Sequence, residues 1–185
     1  MGIVGLSSRV EGPDPTVTME RGRKSRMDSS LPLNDDTDYG LCFACGPRNS
    51  SGLRLRFKHD QDRIVTEYTP NSNHQGFPGY LHGGVISTLL DEVMSRVSLL
   101  DNRWTMTVRM DVRYRKPILI HQHVKAYAQL KNKRRGVIEA AGWVELPDGS
   151  IAAEAKGTFI PVKAEALARI NRGLSSIGSR EWMNG

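Results

Sequence analysis

The stretch HQGFPGYLHGGVISTLLDEVM, His74 to Met94, gathers residue types that can do acyl chemistry. Two glycines, Gly83 and Gly84, stand where an apolar periodic run begins, so the free N–H groups of a helix N-terminus would face whatever approaches them without a side chain in the way. Such amides stabilise negative charge developing on a carbonyl oxygen, each donor contributing about 2.7–4 kcal/mol in the transition state. A base or nucleophile is also required, and Asp91 and Glu92 compete for that part. At roughly 100° per residue they cannot face the same way. Ser87, Asp91 and Ser95 recur every four residues as a narrow polar stripe, while Glu92 lies four before Arg96 as an ion-pair partner. Asp91 is therefore the expected catalytic carboxylate. His82, just before the glycines, is expected to shape the loop or line the site, its charge responding near neutral pH.

The elements that would position these groups follow from periodicity. GLRLRFKH sets Leu53, Leu55 and Phe57 against Arg54, Arg56 and Lys58, the alternation of a half-buried strand, and RIVTEYT repeats it after DQD to complete a hairpin. From Val85 to Leu100 the period becomes helical, with apolar residues over half the circumference, which predicts a helix wrapped by a curved sheet. Four strand-like segments follow: WTMTVRMDVRYRKP, HVKAYAQLKNK, VIEAAGWVEL and SIAAEAKGTFIPV. KRRG and PDGS are hairpin-type turns. In the first of the four strands, Trp104, Met106, Val108, Met110, Val112 and Tyr114 are expected to pack, and Thr105, Thr107, Arg109, Asp111, Arg113 and Arg115 to face solvent or a partner. The pattern predicts an α+β fold, an antiparallel curved sheet around one long helix.

The 185 residues hold one domain with tails: an arm over 1–40, a domain over 41–163 and a tail over 164–185 with one short helix. The arm lacks apolar periodicity and is expected to be flexible. Apolar residues make up 38% and charged residues 25%, with no apolar run of membrane-spanning length and no secretory pattern at the start; the expectation is a cytoplasmic protein without membrane contact. Net charge is +6, yet the first forty residues hold five basic and seven acidic side chains, so the basicity belongs to the domain. A nucleic-acid role is not expected, because no recognition helix or aromatic binding motif accompanies that charge. Cys42 and Cys45, in CFACG, are half a zinc site, a redox pair or a tight turn. His59 or His74 would have to complete a zinc site, since no second cysteine pair exists, and a turn is preferred; neither a metal nor a cofactor is expected. His121 and His123 are expected at the surface.

GYLHGGVISTLLDEVM resembles the hot-dog-fold thioesterases, whose shared element is His-Gly-Gly opening the central helix with an acid further along it. CFACGPRNSSGLRLRF and VRYRKPI reinforce the likeness over roughly residues 41–162, and the acid nine positions beyond the histidine is similar to that of the phenylacetyl-type branch. The resemblance implies a hot-dog fold and an acyl-CoA thioesterase that works as a homodimer or dimer of dimers, each site lying between two subunits. It implies Asp91 as base or nucleophile, Gly83 and Gly84 as carbonyl-polarising donors, His82 beside the carbonyl, and Thr107, supplied by the neighbouring subunit, orienting the attacking water. Coenzyme A phosphates would call for cations, for which Arg113, Arg115, Lys116, Arg134 and Arg135 are candidates, and Glu92 is a candidate neighbour of substrate. The alternative is a non-catalytic acyl-CoA-binding or ligand-sensing module, and a hydratase on the same fold stays open.

Overall fold

A computed structural model describes residues 39–101 and 103–174. Most of the expected arm and the end of the expected tail lie outside the described residues. Six antiparallel strands, β1 (Phe57–Asp60), β2 (Arg63–Tyr68), β3 (Thr105–Tyr114), β4 (Val124–Arg134), β5 (Val137–Glu145) and β6 (Ile151–Pro161), form one sheet in the order β1-β2-β4-β5-β6-β3. Between β2 and β3 runs α1 (Gly83–Ser95), continued as a 3-10 segment Arg96–Asp101; α2 (Ala164–Leu174) follows β6. This is the expected α+β hot-dog architecture.

The helix can lie close to the sheet because the strands facing it are built from small residues. Ala126 and Ala128 on β4, Ala140 and Gly142 on β5, and Ala153, Ala155 and Gly157 on β6 point inward, and every alanine among them is buried. Leu89, Leu90, Val93 and Met94 of α1 pack fully buried over this floor, with Phe159 and Val144 filling its ends. A side chain at Gly157 has no room: its Cβ would stand 2.6 Å from the Phe159 ring and 3.2 Å from Met94 Cε. No helix among the described residues is long and apolar enough to cross a membrane.

Three element boundaries differ from the sequence expectation, each for a local reason. Leu53 and Leu55 are buried and Arg54 and Arg56 exposed, as the alternation requires, but the β-ladder begins only at Phe57. The amides of Leu53 and Leu55 donate instead to Phe43 and Ala44 carbonyls of the cysteine turn, at 2.8 and 2.9 Å, and Arg54 has φ +53°. The helix starts at Gly83, since His82 caps it, and becomes 3-10 after Ser95. There the Ser95 and Ser98 hydroxyls donate back to the carbonyls three residues earlier, at 2.9 and 2.7 Å, competing with the backbone ladder.

The expected facing of β3 needs correction. Register shifts between Thr107 and Arg109 in its pairing with β6, so Val108 is an extra residue that reverses the alternation. Before the bulge Thr107 turns toward the helix, where it bonds Asp91; after it Met110 and Val112 pack on the core and the Tyr114 hydroxyl reaches α1. Met106 and Val108, expected inside, are 52% and 54% exposed.

Gly157→Ala should destabilise the fold by about 1–3 kcal/mol, the cost of overpacking a filled core. Urea unfolding would show it as a lower midpoint at unchanged slope; an unchanged midpoint would contradict the tight packing of helix on sheet.

Candidate active site

The N-terminus of α1 is organised by backbone and imidazole together. His82 sits in extended conformation as the cap, its carbonyl accepting from Val85 and Ile86 at 2.9 and 3.2 Å. Its own amide donates to the His74 carbonyl at 2.9 Å. His74 is in turn buried, with Nδ1 2.6 Å from the Tyr68 hydroxyl. Gly76 lies against the imidazole, where an added Cβ would come within 3.1 Å of His82 Cδ2. A buried histidine thus anchors the loop that presents the exposed one, a support that sequence reading missed because His74 and Tyr68 carry no spacing signal.

The two glycines prove unequal. The Gly84 amide, expected to be an open donor, donates to His82 Nδ1 at 2.9 Å. The Gly83 amide has no hydrogen-bond partner among the described residues and remains available. Because Nδ1 accepts, the neutral imidazole carries its proton on Nε2, a second donor beside the helix end. A Cβ on Gly84 would stand 3.0 Å from His82 Nδ1, whereas one on Gly83 would make only ordinary 3.7 Å contact with Tyr114. Gly84 is thus the position where a side chain disturbs the imidazole.

Along the helix the polar stripe is docked under the edge strand β3. Tyr114 donates its hydroxyl proton to the Gly83 carbonyl at 3.1 Å, and Ser87 Oγ lies 2.6 Å from the same phenol oxygen. Two turns on, Thr107 Oγ1 donates to Asp91 Oδ1 at 2.7 Å. Burial pushes the Asp91 carboxyl above the ordinary aspartate range; the Thr107 hydrogen bond pulls it back, and the neighbouring Glu92 charge adds to the rise. Thr107 and the Asp91 it bonds belong to the same chain. Tyr114, expected only to pack, is the site residue that the sequence pattern concealed.

Glu92 faces another cluster. It is paired with Arg96, as its spacing suggested, and one of its carboxylate oxygens lies within 4.8 Å of the Cys42 and Cys45 sulfurs. The candidate phosphate-binding cations do not form one patch within a chain. Lys116 and Arg115 meet the start of β6 through Ala152, and Arg115 is ion-paired with Glu154. Arg134 and Arg135 lie at the β4–β5 turn, where Gly136 approaches Pro161 at the far end of β6. Nine residues of extended strand separate the two groups by roughly 30 Å.

A half-buried carboxylate sits on the helix that opens with His-Gly-Gly, inside a sheet of this order, and residues 78–149 match the family model of the thioesterase superfamily. Mouse acyl-coenzyme A thioesterase THEM4 is 27% identical over 155 residues, covering 82% of this chain and 67% of its own. Across the curated relatives matched, the chain spans between 39% and 67% of their length. The Escherichia coli PaaI protein from the phenylacetic acid degradation operon has the same fold, with a TM-score of 0.56 at 13% identity, covering 60% of this chain and 81% of that one. A Streptococcus mutans protein solved bound to acetyl-CoA superposes with a TM-score of 0.55 at 16% identity, over 58% of this chain and 88% of that one.

An aspartate raised by burial takes up its proton at higher pH folded than unfolded, so between the unfolded value near 3.9 and the raised folded one the native state binds more protons. Stability contributed by this group is lost as pH rises through that window. Asp91→Asn, which still accepts from Thr107, should therefore raise the thermal midpoint at pH 7 while leaving it nearly unchanged near pH 3. Scanning calorimetry at the two pH values checks this; a midpoint lowered at pH 7 would contradict the buried carboxylate.

Proposed function

We propose that this chain hydrolyses acyl-CoA thioesters to the free acid and coenzyme A. The observation that carries the reading is Asp91, desolvated yet held by Thr107, on the helix whose first amide is unoccupied. Asp91 takes a proton from a water as the water oxygen bonds the thioester carbonyl carbon, or its own carboxylate attacks that carbon. The oxyanion that forms accepts from the Gly83 N–H and His82 Nε2–H. The carbon–sulfur bond then breaks, and the thiolate of coenzyme A leaves and is protonated; where the carboxylate is the attacking group, a water then hydrolyses the acyl-aspartyl anhydride, releasing the free acid and restoring Asp91. Gly84 acts through His82 by fixing its tautomer. The names of the relatives and the acetyl-CoA held by the Streptococcus mutans protein point to the same substrate class.

Helix geometry supports an assembly. Eight residues at 1.5 Å each separate Gly83 from Asp91 by about 12 Å along the axis, too far for both to touch one carbonyl from a single copy. The sheet offers the remedy: β3 is an edge strand of ten residues, long and mostly exposed. Pairing β3 with its two-fold mate sets the helices side by side in opposite directions and brings Asp91 of one copy toward Gly83 of the other. The same operation places Arg113 and Lys116 of one copy near Arg134 and Arg135 of the second, closing the 30 Å gap that a single chain leaves between cations. The homodimer is the smallest unit that completes the site.

Thiol release from a panel of acyl-CoA thioesters tests the reaction. Asp91→Asn should lower turnover by about 10²–10⁴-fold for whichever chains the wild type accepts. Binding of acyl-CoA with no thiol release by the wild type would replace the enzyme with a ligand-binding module. Mixing Asp91→Asn with His82→Ala after denaturation and refolding tests the shared site, since each hybrid dimer regains one intact pair and the mixture recovers about a quarter of wild-type activity. No recovery from two inactive parents that sediment as hybrid dimers would place both groups in the same copy's site.

A further inference from the structure

The cysteine turn is built with more care than a loop closure needs. Gly46 donates to the Cys42 carbonyl at 2.9 Å, and a Cβ on it would fall 2.4 Å from the Cys42 amide nitrogen, so the turn is as tight as a backbone allows. Arg56 donates to the Cys45 carbonyl at 3.1 Å, and the Leu53 and Leu55 amides tie Phe43 and Ala44 to the domain. Across from the turn, fifty residues away in sequence, Arg96 lies buried over the Phe57 ring at 4.7 Å, donates to Cys45 Sγ at 3.0 Å and pairs with Glu92. Both sulfurs and the Glu92 carboxylate lie within 4.8 Å of one another. That donor set would suit a soft cation, but the place of a positive charge between Cys45 and Glu92 is already taken by the Arg96 guanidinium.

We propose that Cys42 and Cys45 form a thiol–disulfide exchange site for low-molecular-weight disulfides, with half-buried Cys42 as the attacking sulfur and buried Cys45 as the resolving one. The two thiols are differently poised, as exchange requires. The Cys45 S–H donates to Cys42, which lowers the Cys42 thiol to about 6 against the opposing effects of burial and of Glu92. Cys45 is raised because its proton is held in that bond and because it is buried. A thiolate with a value just below neutral pH is abundant and still nucleophilic. In the first step the Cys42 thiolate bonds one sulfur of a disulfide RSSR and expels RS⁻, giving a mixed disulfide on Cys42. Cys45 then attacks Cys42 Sγ, losing its proton and releasing a second thiol. The pair is oxidised by two electrons and RSSR is reduced to two thiols.

The experiment uses the reduced full chain and a glutathione redox series, quenched by maleimide and read by intact mass and thiol count. Wild type should lose both thiols together and become two hydrogens lighter, with no lasting adduct. Cys45→Ser, whose hydroxyl can still donate to Cys42, should stop at one glutathione on Cys42, and its alkylation rate should rise with a midpoint at about pH 6 in place of about 8.5. Cys42→Ser should stay unmodified. Thiols that persist across the series, equal reactivity of the two single variants, or protection of both thiols by one equivalent of zinc until a chelator is added would each overturn the proposal, the last in favour of a metal site. None of these readouts depends on turnover, and Asp91→Asn should behave as wild type in them.

Discussion

A rigid helix lying on an alanine and glycine floor fixes almost everything else in this molecule. Once Leu89, Leu90, Val93 and Met94 are buried, the rotation of α1 about its axis is set, and the polar stripe of Ser87 and Asp91 must emerge at one side. The half-buried stripe keeps its polar groups satisfied because β3 sets hydroxyls opposite it, Tyr114 against Ser87 and Thr107 against Asp91. Because β3 is also the edge of the sheet, the half-buried carboxylate lies beside the surface where another strand can pair. Position in the core and access at the edge follow from the same packing.

Much of this was legible in the residues. The helical stripe, the alternating strands and the two hairpin turns depend on local periodicity and all emerge; the last three strands lie within a residue of expectation, while the helix leaves its α-helical form five residues early. The choice of Asp91 over Glu92 as the acid of the polar stripe also followed from spacing alone, and the structure gives each acid a separate environment. What spacing could not show was the bulge at Val108. Met106, Val108, Met110 and Val112 present an unbroken alternation, and nothing in their types reveals that one residue is extra. The consequence is that Thr107 and Tyr114, seven apart and on opposite faces of a regular strand, serve the same helix. Leu53 to Arg56 failed in the opposite sense: its alternation is real in burial, but its amides bond the cysteine turn, a partner that no local pattern announces.

His82 illustrates a compromise between structure and chemistry at the helix end. Four amides there need partners, and a cap normally satisfies one of them. By using imidazole Nδ1 for Gly84, the chain satisfies that amide and at the same time orients a ring whose other nitrogen holds a proton. A Cβ at 84 would press on the ring and make it shift, whereas at 83 there is space for one. The two glycines therefore look equivalent in sequence and differ in what they contribute.

Adjacent acids with separate duties explain how two reactive clusters coexist on one helix. The turn of roughly 100° between Asp91 and Glu92 sends one to Thr107 and β3 and the other to Arg96 and the cysteines. Left unpaired, a charge at Glu92 would repel the Asp91 carboxylate at short range in a partly desolvated setting. Arg96 counters that charge locally, and burial remains the leading cause of the Asp91 rise with Glu92 the least of the three influences. The guanidinium thereby serves both sides at once: it offsets the acid next to the site and supplies Cys45 with a donor. A neutral residue in its place would leave Glu92 uncompensated beside a thiolate and beside Asp91, so the two clusters are independent in chemistry but share one counter-ion.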